Sequence, residues 1–247
     1  MAKTQRLALV TGGNKGLGFE TCRQLARLGI TVLLTARDRR RGEAATAELM
    51  AEGLPVHFVA LDVTNSGQIH NVRHHLENHY GHLDILVNNA GTISPEEPLF
   101  GNSAATVSPD VLRRTFDVNF FGLVELTQAL LPLLTKSPAG RIVNVSSILG
   151  SLTVHSDPDS DFASAKPFAY DASKCAVNQF TVHLAAALAD TPIKVNAAHP
   201  GWVRTDLGGD KAPMEASEGA KTAVRLATLG PDGPTGGFFH GKDPLPW

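Results

Sequence analysis

Apolar and polar positions alternate along this chain in two periods. Short, mostly apolar runs at 6–11, 31–36, 56–61, 85–88, 141–146, 194–199 and 236–239 read as buried strands. Between them lie stretches whose apolar residues recur roughly every three to four positions, the spacing of one helix face. These predict helices over 16–28, 41–52, 66–80, 109–136, 167–189 and 215–229. Such alternation implies a parallel sheet with right-handed crossovers and helices on both faces. The expected fold is α/β: a doubly wound, seven-stranded parallel sheet, formed as a single domain over 1–247. No linker or internal repeat marks a second unit. Segments 92–108, 152–165 and 204–214 fall outside the pattern. Each follows the C-terminal end of a strand, where open α/β sheets bind ligands, so substrate selection is expected there.

The first strand runs directly into Thr11-Gly12-Gly13-Asn14-Lys15-Gly16-Leu17-Gly18, and a helix follows at once. Strand, glycine turn and helix form the setting of a dinucleotide-binding turn. Glycines permit torsions and close approaches that a Cβ blocks. The helix N-terminus offers free N–H groups and a positive dipole end to a pyrophosphate. The glycine spacing, Gly-x-x-x-Gly-x-Gly, departs from the common Gly-x-Gly-x-x-Gly. The second strand ends at Ala36-Arg37, where an acid usually holds the ribose hydroxyls of NAD. Here Arg37 and Lys15 bring two cations to that neighbourhood, which favours a 2′-phosphate and hence NADPH. Asp38 comes one residue later, and Arg37 with Arg39, Arg40 and Arg41 also reads as a solvated basic loop.

Tyr170 and Lys174 are four residues apart in a stretch of helix formers, so they share one helix face. A phenol held beside an ammonium has its phenolate stabilised, so its pKa is expected to fall. A tyrosine tuned this way can exchange a proton near neutral pH.

Composition narrows the partners. With 43% hydrophobic and 19% charged residues in 247, the chain suits one sizeable core. A net charge of −2 gives no electrostatic case for nucleic acid or an anionic membrane. No apolar run reaches the roughly 18 residues of a membrane helix, and no signal peptide is visible. The two cysteines, Cys22 and Cys175, make neither a disulfide framework nor a zinc spacing. Both read as small core residues, with thiol-reactive inhibition at Cys175 as the alternative. A reducing cytoplasm is the expected location. His70/His74 and His75/His79 have helical ligand spacing, but Asn71, Arg73, Glu77 and Asn78 mark a solvated face, and no metal site is expected.

Taken in order, the glycine turn, Asn88-Asn89-Ala90-Gly91, Asn144-Val145-Ser146-Ser147, Tyr170 with Lys174, and Pro200-Gly201 resemble the short-chain dehydrogenase/reductase family over essentially the whole length. Leu34-Thr35-Ala36-Arg37-Asp38, Pro200-Gly201-Trp202-Val203-Arg204-Thr205 and the terminal Trp247 resemble its carbonyl reductase branch. The resemblance implies a Rossmann fold and NADPH-dependent reduction of ketones, aldehydes and quinones. It implies cofactor contacts from Gly12, Asn14, Lys15, Gly16, Leu17, Gly18 and Arg37. Asp62 would bond the adenine amine and Val63 would give its N–H. Asn89, Ala90, Gly91, Pro200, Gly201 and Val203 would border the cofactor, and Thr205 would bond the carboxamide.

The same resemblance gives catalytic roles to Asn119, Ser147, Tyr170 and Lys174. Asn119 would hold a water that passes protons to the lysine, and Ser147 would bond the substrate oxygen. Strand alternation separates Ser147 from Ser146, since neighbouring side chains point to opposite faces. Tyr170 would protonate the alkoxide as hydride arrives, on the expected pro-S transfer. Lys174 would bond the nicotinamide ribose and lower the phenol's pKa. Ile148, Leu149, His199 and Trp202 are candidates for the substrate wall, with core packing as the competing reading. Ser147 and Tyr170 are 23 residues apart, a longer link than compact members have. The extra residues, around 154–161, precede the helix many members use for pairing, so a monomer or dimer is expected. Two alternatives stand beside carbonyl reduction: an oxidative alcohol or hydroxysteroid dehydrogenase, and a non-catalytic NADP(H)-sensing protein.

Overall fold

The computed structural model describes residues 5–247. Its first half runs β1 (Leu7–Val10), α1 (Gly16–Arg27), β2 (Thr31–Ala36), α2 (Arg39–Ala51), β3 (Val56–Ala60), α3 (Ser66–His79), β4 (Ile85–Asn88), β5 (Gly101–Asn102) and α4 (Pro109–Phe116). A π-helical turn, Asp117–Phe121, leads into α5 (Gly122–Leu134). Then come β6 (Arg141–Val145), α6 (Leu152–Ser156), β7 (Ala165–Lys166), α7 (Phe168–Ala187), β8 (Lys194–Ala198), α8 (Ala216–Ala227), β9 (Phe238–His240) and β10 (Asp243–Pro244).

Strand side chains divide between the two faces with period two. Leu7, Leu9 and Leu33 enter the core under α3, α5 and α7, beside Ile69, Leu76, Leu126, Leu130 and Leu184. Ala8, Val10, Val32 and Leu34 face the opposite layer, beside Cys22, Leu25, Leu49 and Leu226. A strand covered on both faces is apolar along nearly its whole length, which is why these runs carry no polar alternation.

The main sheet has the order β10-β9-β8-β6-β4-β1-β2-β3, and every pairing in it is parallel except β10 with β9. The expected count of seven is corrected to eight. β10 is two residues long, contains Pro244 and follows a turn at Gly241 (φ 57°), so no apolar run announces it. Segments expected to be irregular also supply β5 and β7, which pair in parallel as a small second sheet.

The helix expected over 109–136 is divided by the π-helical turn. Gly122, just after it, packs so closely that a Cβ there would stand 2.3 Å from the Val63 carbonyl oxygen. By length and composition Pro109–Leu134 could cross a membrane, which corrects the expectation that no such run exists. Asp110, Arg113, Arg114, Asp117 and Glu125 interrupt it, so an unbroken count misses it. Leu126, Leu130, Leu133 and Leu134 of this run lie in the protein core.

Candidate active site

The site gathers where the strand order reverses, between β1 and β4, the usual ligand crevice of an open parallel sheet. Gly12 (φ 65°) and Gly16 (φ 53°) both adopt left-handed torsions in the turn after β1. A Cβ on Gly18 would stand 2.3 Å from the Gly12 carbonyl oxygen and 2.5 Å from Asn89 Nδ2. Lys15 precedes α1 without a side-chain capping bond, so first-turn N–H groups face the crevice unclaimed by a cap. A cradle that a Cβ would fill, ending on a helix N-terminus, fits the pyrophosphate of a dinucleotide.

Asn89 fastens this turn to β4. Its Nδ2 donates to the Thr11 carbonyl at 2.8 Å, and the Thr11 hydroxyl accepts from both Asn89 N and Ala90 N at 2.9 Å. Asn14 lies in the turn, and Leu17, in the first turn of α1, packs toward Gly219 of α8. The segment after β8 folds over the same turn. Gly201 is left-handed (φ 89°), Val203 is buried, and the Thr205 methyl would be 3.1 Å from a Cβ on Gly16. Lys15 is ion-paired with Asp206 there, and this bond, with Arg41 adding to it, holds the Asp206 carboxyl below the usual range. Arg37 is exposed at the tip of β2. Asp38 turns away to cap α2, accepting from Arg41 N at 3.0 Å. Asp62 closes a turn instead, accepting from Thr64 N at 3.0 Å and the Thr64 hydroxyl at 2.8 Å, next to buried Val63.

Asn119, Ser147, Tyr170 and Lys174 converge below the open edge. A Cβ on Gly91 would stand 3.5 Å from both Asn119 Oδ1 and Lys174 Nζ. Lys174 Nζ lies 5.7 Å from the Tyr170 ring centre. Ser147, after β6, stands beside Tyr170 and acts to lower the phenol's pKa. Ser146 points the other way, its hydroxyl 2.6 Å from Asn178 Oδ1 on α7. A sequence model of the short chain dehydrogenase family matches residues 6–216, a span that holds all of these groups.

The chain belongs to the short chain dehydrogenase family.

Human carbonyl reductase [NADPH] 1 is 37% identical over 286 aligned positions that cover 100% of both chains. A peppermint (Mentha piperita) protein, (-)-isopiperitenone reductase, is 35% identical and covers 97% of each. Among solved structures, NADPH-bound carbonyl reductase from chicken fatty liver superposes with a TM-score of 0.84 at 26% identity, covering 98% of this chain and 94% of that one.

In this short chain dehydrogenase the electrostatics of the pair depart from the expectation. Burial pushes the Tyr170 phenol up to about 12, against the Ser147 hydrogen bond, and the Asp171 charge pushes the same way. Burial alone pushes the Lys174 ammonium down to about 8. The expected lowering of the phenol by Lys174 is therefore corrected. The ammonium donates to the Val145 carbonyl at 2.8 Å, and the desolvation of the buried phenol sets the direction of its shift. Asn119 is fully buried on the π-helical turn. Its Nδ2 donates to the Thr92 carbonyl and the Ser173 hydroxyl at 2.9 Å, and its Oδ1 accepts from Thr92 N at 2.7 Å.

Ile148 and Leu149 pack in one buried cluster with Tyr170, Ala197 and Phe238. His199 accepts from Ile148 N at 3.2 Å, and burial with neighbouring His240 pushes its imidazole down to about 3. Trp202 is exposed and donates to the Gly208 carbonyl at 2.8 Å. Burial raises the Cys175 thiol, the wrong direction for a reactive thiolate.

A polar chain crossing the sheet beneath the site was not anticipated as a unit. Asn88 Nδ2 donates to Thr127 and to Asn144, and Asn144 Nδ2 to Thr181, each at 2.9 Å. Asparagines at matched positions of adjacent strands were its only sequence signal.

Proposed function

We propose that this protein reduces the carbonyl groups of ketones, aldehydes or quinones to alcohols, with NADPH as reductant and Tyr170 as proton donor. The observation that carries the reading is the arrangement around Tyr170: a buried phenol beside Ser147, with Lys174 Nζ 5.7 Å from its ring centre and Asn119 and Lys174 both facing Gly91. A donor to the forming alkoxide must hold its proton before the reaction, and a phenol buried here does so at neutral pH. When bound in the crevice, the nicotinamide supplies the hydride to the carbonyl carbon.

The chain's own residues do the rest. The Ser147 hydroxyl is placed to donate to the carbonyl oxygen and stabilise the charge that develops there. Tyr170 gives its proton to that oxygen. Lys174, whose ammonium faces Gly91, is placed to hold the nicotinamide ribose and to stabilise the phenolate left behind. Asn119 fixes the Thr92 main chain and Ser173, which sets the floor between α4 and α7. The glycine turn would hold the pyrophosphate, and Lys15 with Arg37 the 2′-phosphate.

The test is NADPH oxidation followed by absorbance with aryl ketones, quinones, α-dicarbonyls and aldehydes, with NADH in parallel. Turnover is expected with NADPH and should fall by about 100-fold or more in Tyr170→Phe. Undiminished turnover in that variant would refute the proton-donor role. Cofactor binding without turnover across the panel would refute carbonyl reduction of these classes.

A further inference from the structure

Helix α7 carries both Tyr170 and Lys174, yet no side chain of its own caps it. Pro167 occupies the cap position and makes no capping bond. The N–H groups of Phe168, Ala169 and Tyr170 open the helix and so have no acceptor within it. Two residues from the loop between β4 and α4 supply all three acceptors. Glu97 Oε1 accepts from Ala169 N at 2.9 Å, and Glu97 Oε2 accepts from Tyr170 N at 3.3 Å. Ser103 Oγ accepts from Phe168 N at 2.9 Å and donates to Glu97 Oε1 at 2.5 Å. Glu97 is 5% exposed and Ser103 8%, so water does not compete for these bonds. Pairing of β5 with β7, Gly101 against Ala165 and Asn102 against Lys166, fastens the same loop to the chain just ahead of α7.

We infer that Glu97 is a positioning residue for the reaction: reaching across from the 92–108 loop, it fixes where the Tyr170 phenol stands. This rests on the reading of Tyr170 as proton donor. A carboxylate suits the positive end of a helix, and charge-assisted bonds to N–H groups are the stronger kind. What separates Glu97 from an ordinary cap is that one of the groups it bonds belongs to the donor residue itself. Its charge is also felt one residue on: burial, then Glu97, pushes the Asp171 carboxyl up to about 8, with Lys166 opposing.

The surroundings fix the direction of the effect. Around Tyr170 stand Asp171 and Lys174 on its own helix, Glu97 of the loop bonded to its N–H, and Ser147 after β6. His155 of α6 lies 3.2 Å from Asp171 Oδ2, and Lys166 of β7 lies 3.1 Å from His155 Nδ1. Above pH 9 Asp171 is ionised with or without Glu97. In that range, removing the Glu97 charge leaves the cations less opposed, which favours the phenolate.

The experiment uses the full chain, NADPH and a carbonyl substrate the wild type turns over. Four quantities are measured for Glu97→Gln and Glu97→Asp: kcat, KM, the kcat–pH profile and NADPH affinity by fluorescence. In Glu97→Gln, kcat should fall about 10- to 100-fold, the loss a displaced reacting group produces. Its alkaline limb should move down by roughly one pH unit. NADPH affinity should stay within about twofold, and Glu97→Asp should return the limb toward its wild-type position. A wild-type limb and kcat in Glu97→Gln would overturn the inference. So would a loss of kcat matched by an equal loss of NADPH affinity, the mark of a merely structural cap. If Glu97→Gln does not fold, Ser103→Ala takes its place: a lower kcat at unchanged NADPH affinity supports the inference, and a wild-type kcat overturns it. Tyr170→Phe keeps the two readings apart. If it remains active, the proton-donor role falls; if it is inactive while the Glu97 variants behave as wild type, only the positioning role falls.

Discussion

Gly18→Ala is the sharpest probe of the cofactor crevice. Gly18 lies in the first turn of α1, with no positive φ, so the helix itself would welcome alanine by about 1 kcal/mol. The obstacle is space. The added Cβ would meet the Gly12 carbonyl oxygen at 2.3 Å and Asn89 Nδ2 at 2.5 Å. Ordinary carbon–oxygen contact begins about 1 Å farther out, and the nearest atom is backbone, so either α1 or the glycine turn must move. Overpacking of this kind costs roughly 1–3 kcal/mol. Set against the helix gain, the net loss is about 0–2 kcal/mol in global stability. The displacement, however, falls on the cradle, since Asn89 Nδ2 also donates to the Thr11 carbonyl at 2.8 Å. NADPH affinity should therefore fall by about tenfold or more, beyond what the change in Tm implies. Gly67→Ala is the control: it sits in the first turn of α3, where a Cβ would meet only Asn65 Oδ1, at 3.3 Å. That variant should be stabilised by up to about 1 kcal/mol and bind NADPH as wild type does. Thermal melts and nucleotide fluorescence titrations read both. If Gly18→Ala behaves as Gly67→Ala does, more stable and with unchanged affinity, the close approach does not shape the crevice.

Three further outcomes follow from particular contacts. Lys174 ionises at about 8 when folded against 10.5 for the free side chain, so the unfolded chain binds more protons between those values. Stability from this group must rise with pH across that window, and Lys174→Met should flatten the rise in pH-dependent melts of the cofactor-free protein. Asn144→Ala would leave buried Asn88 and Thr181 each short of a partner; urea unfolding should show a loss of about 1–3 kcal/mol per stranded group. Arg37→Ala should weaken NADPH by about tenfold and leave NADH nearly unchanged, whereas Asp206→Asn, by releasing Lys15, should tighten NADPH slightly; equal losses for both nucleotides in Arg37→Ala would remove Arg37 from the 2′-phosphate.

Much of this molecule was settled within short stretches of chain. The alternation of Leu7 and Leu9 with Ala8 and Val10 sets two buried faces, because strand geometry sends neighbours to opposite sides. The spacing of Gly12, Gly16 and Gly18 between an apolar run and a helix defines a cradle for the same local reason. Tyr170 and Lys174 share a face because helix geometry puts i and i+4 side by side. What escaped the sequence depends on atoms far apart along the chain. Glu97 meets the Tyr170 N–H across 73 positions, and no local pattern marks that bond. The π-helical turn runs into the close approach of Gly122 to Val63, a contact between separate elements. The direction of the Tyr170 shift turns on the same distinction. Spacing shows that a lysine is near, whereas the cost of a buried phenolate is set by everything packed around it, and that shell comes from the turn after β6 and from β7, β8 and β9 together. Local periodicity determined the elements and the candidate groups; long-range packing decided their solvent, their partners and hence their acidity.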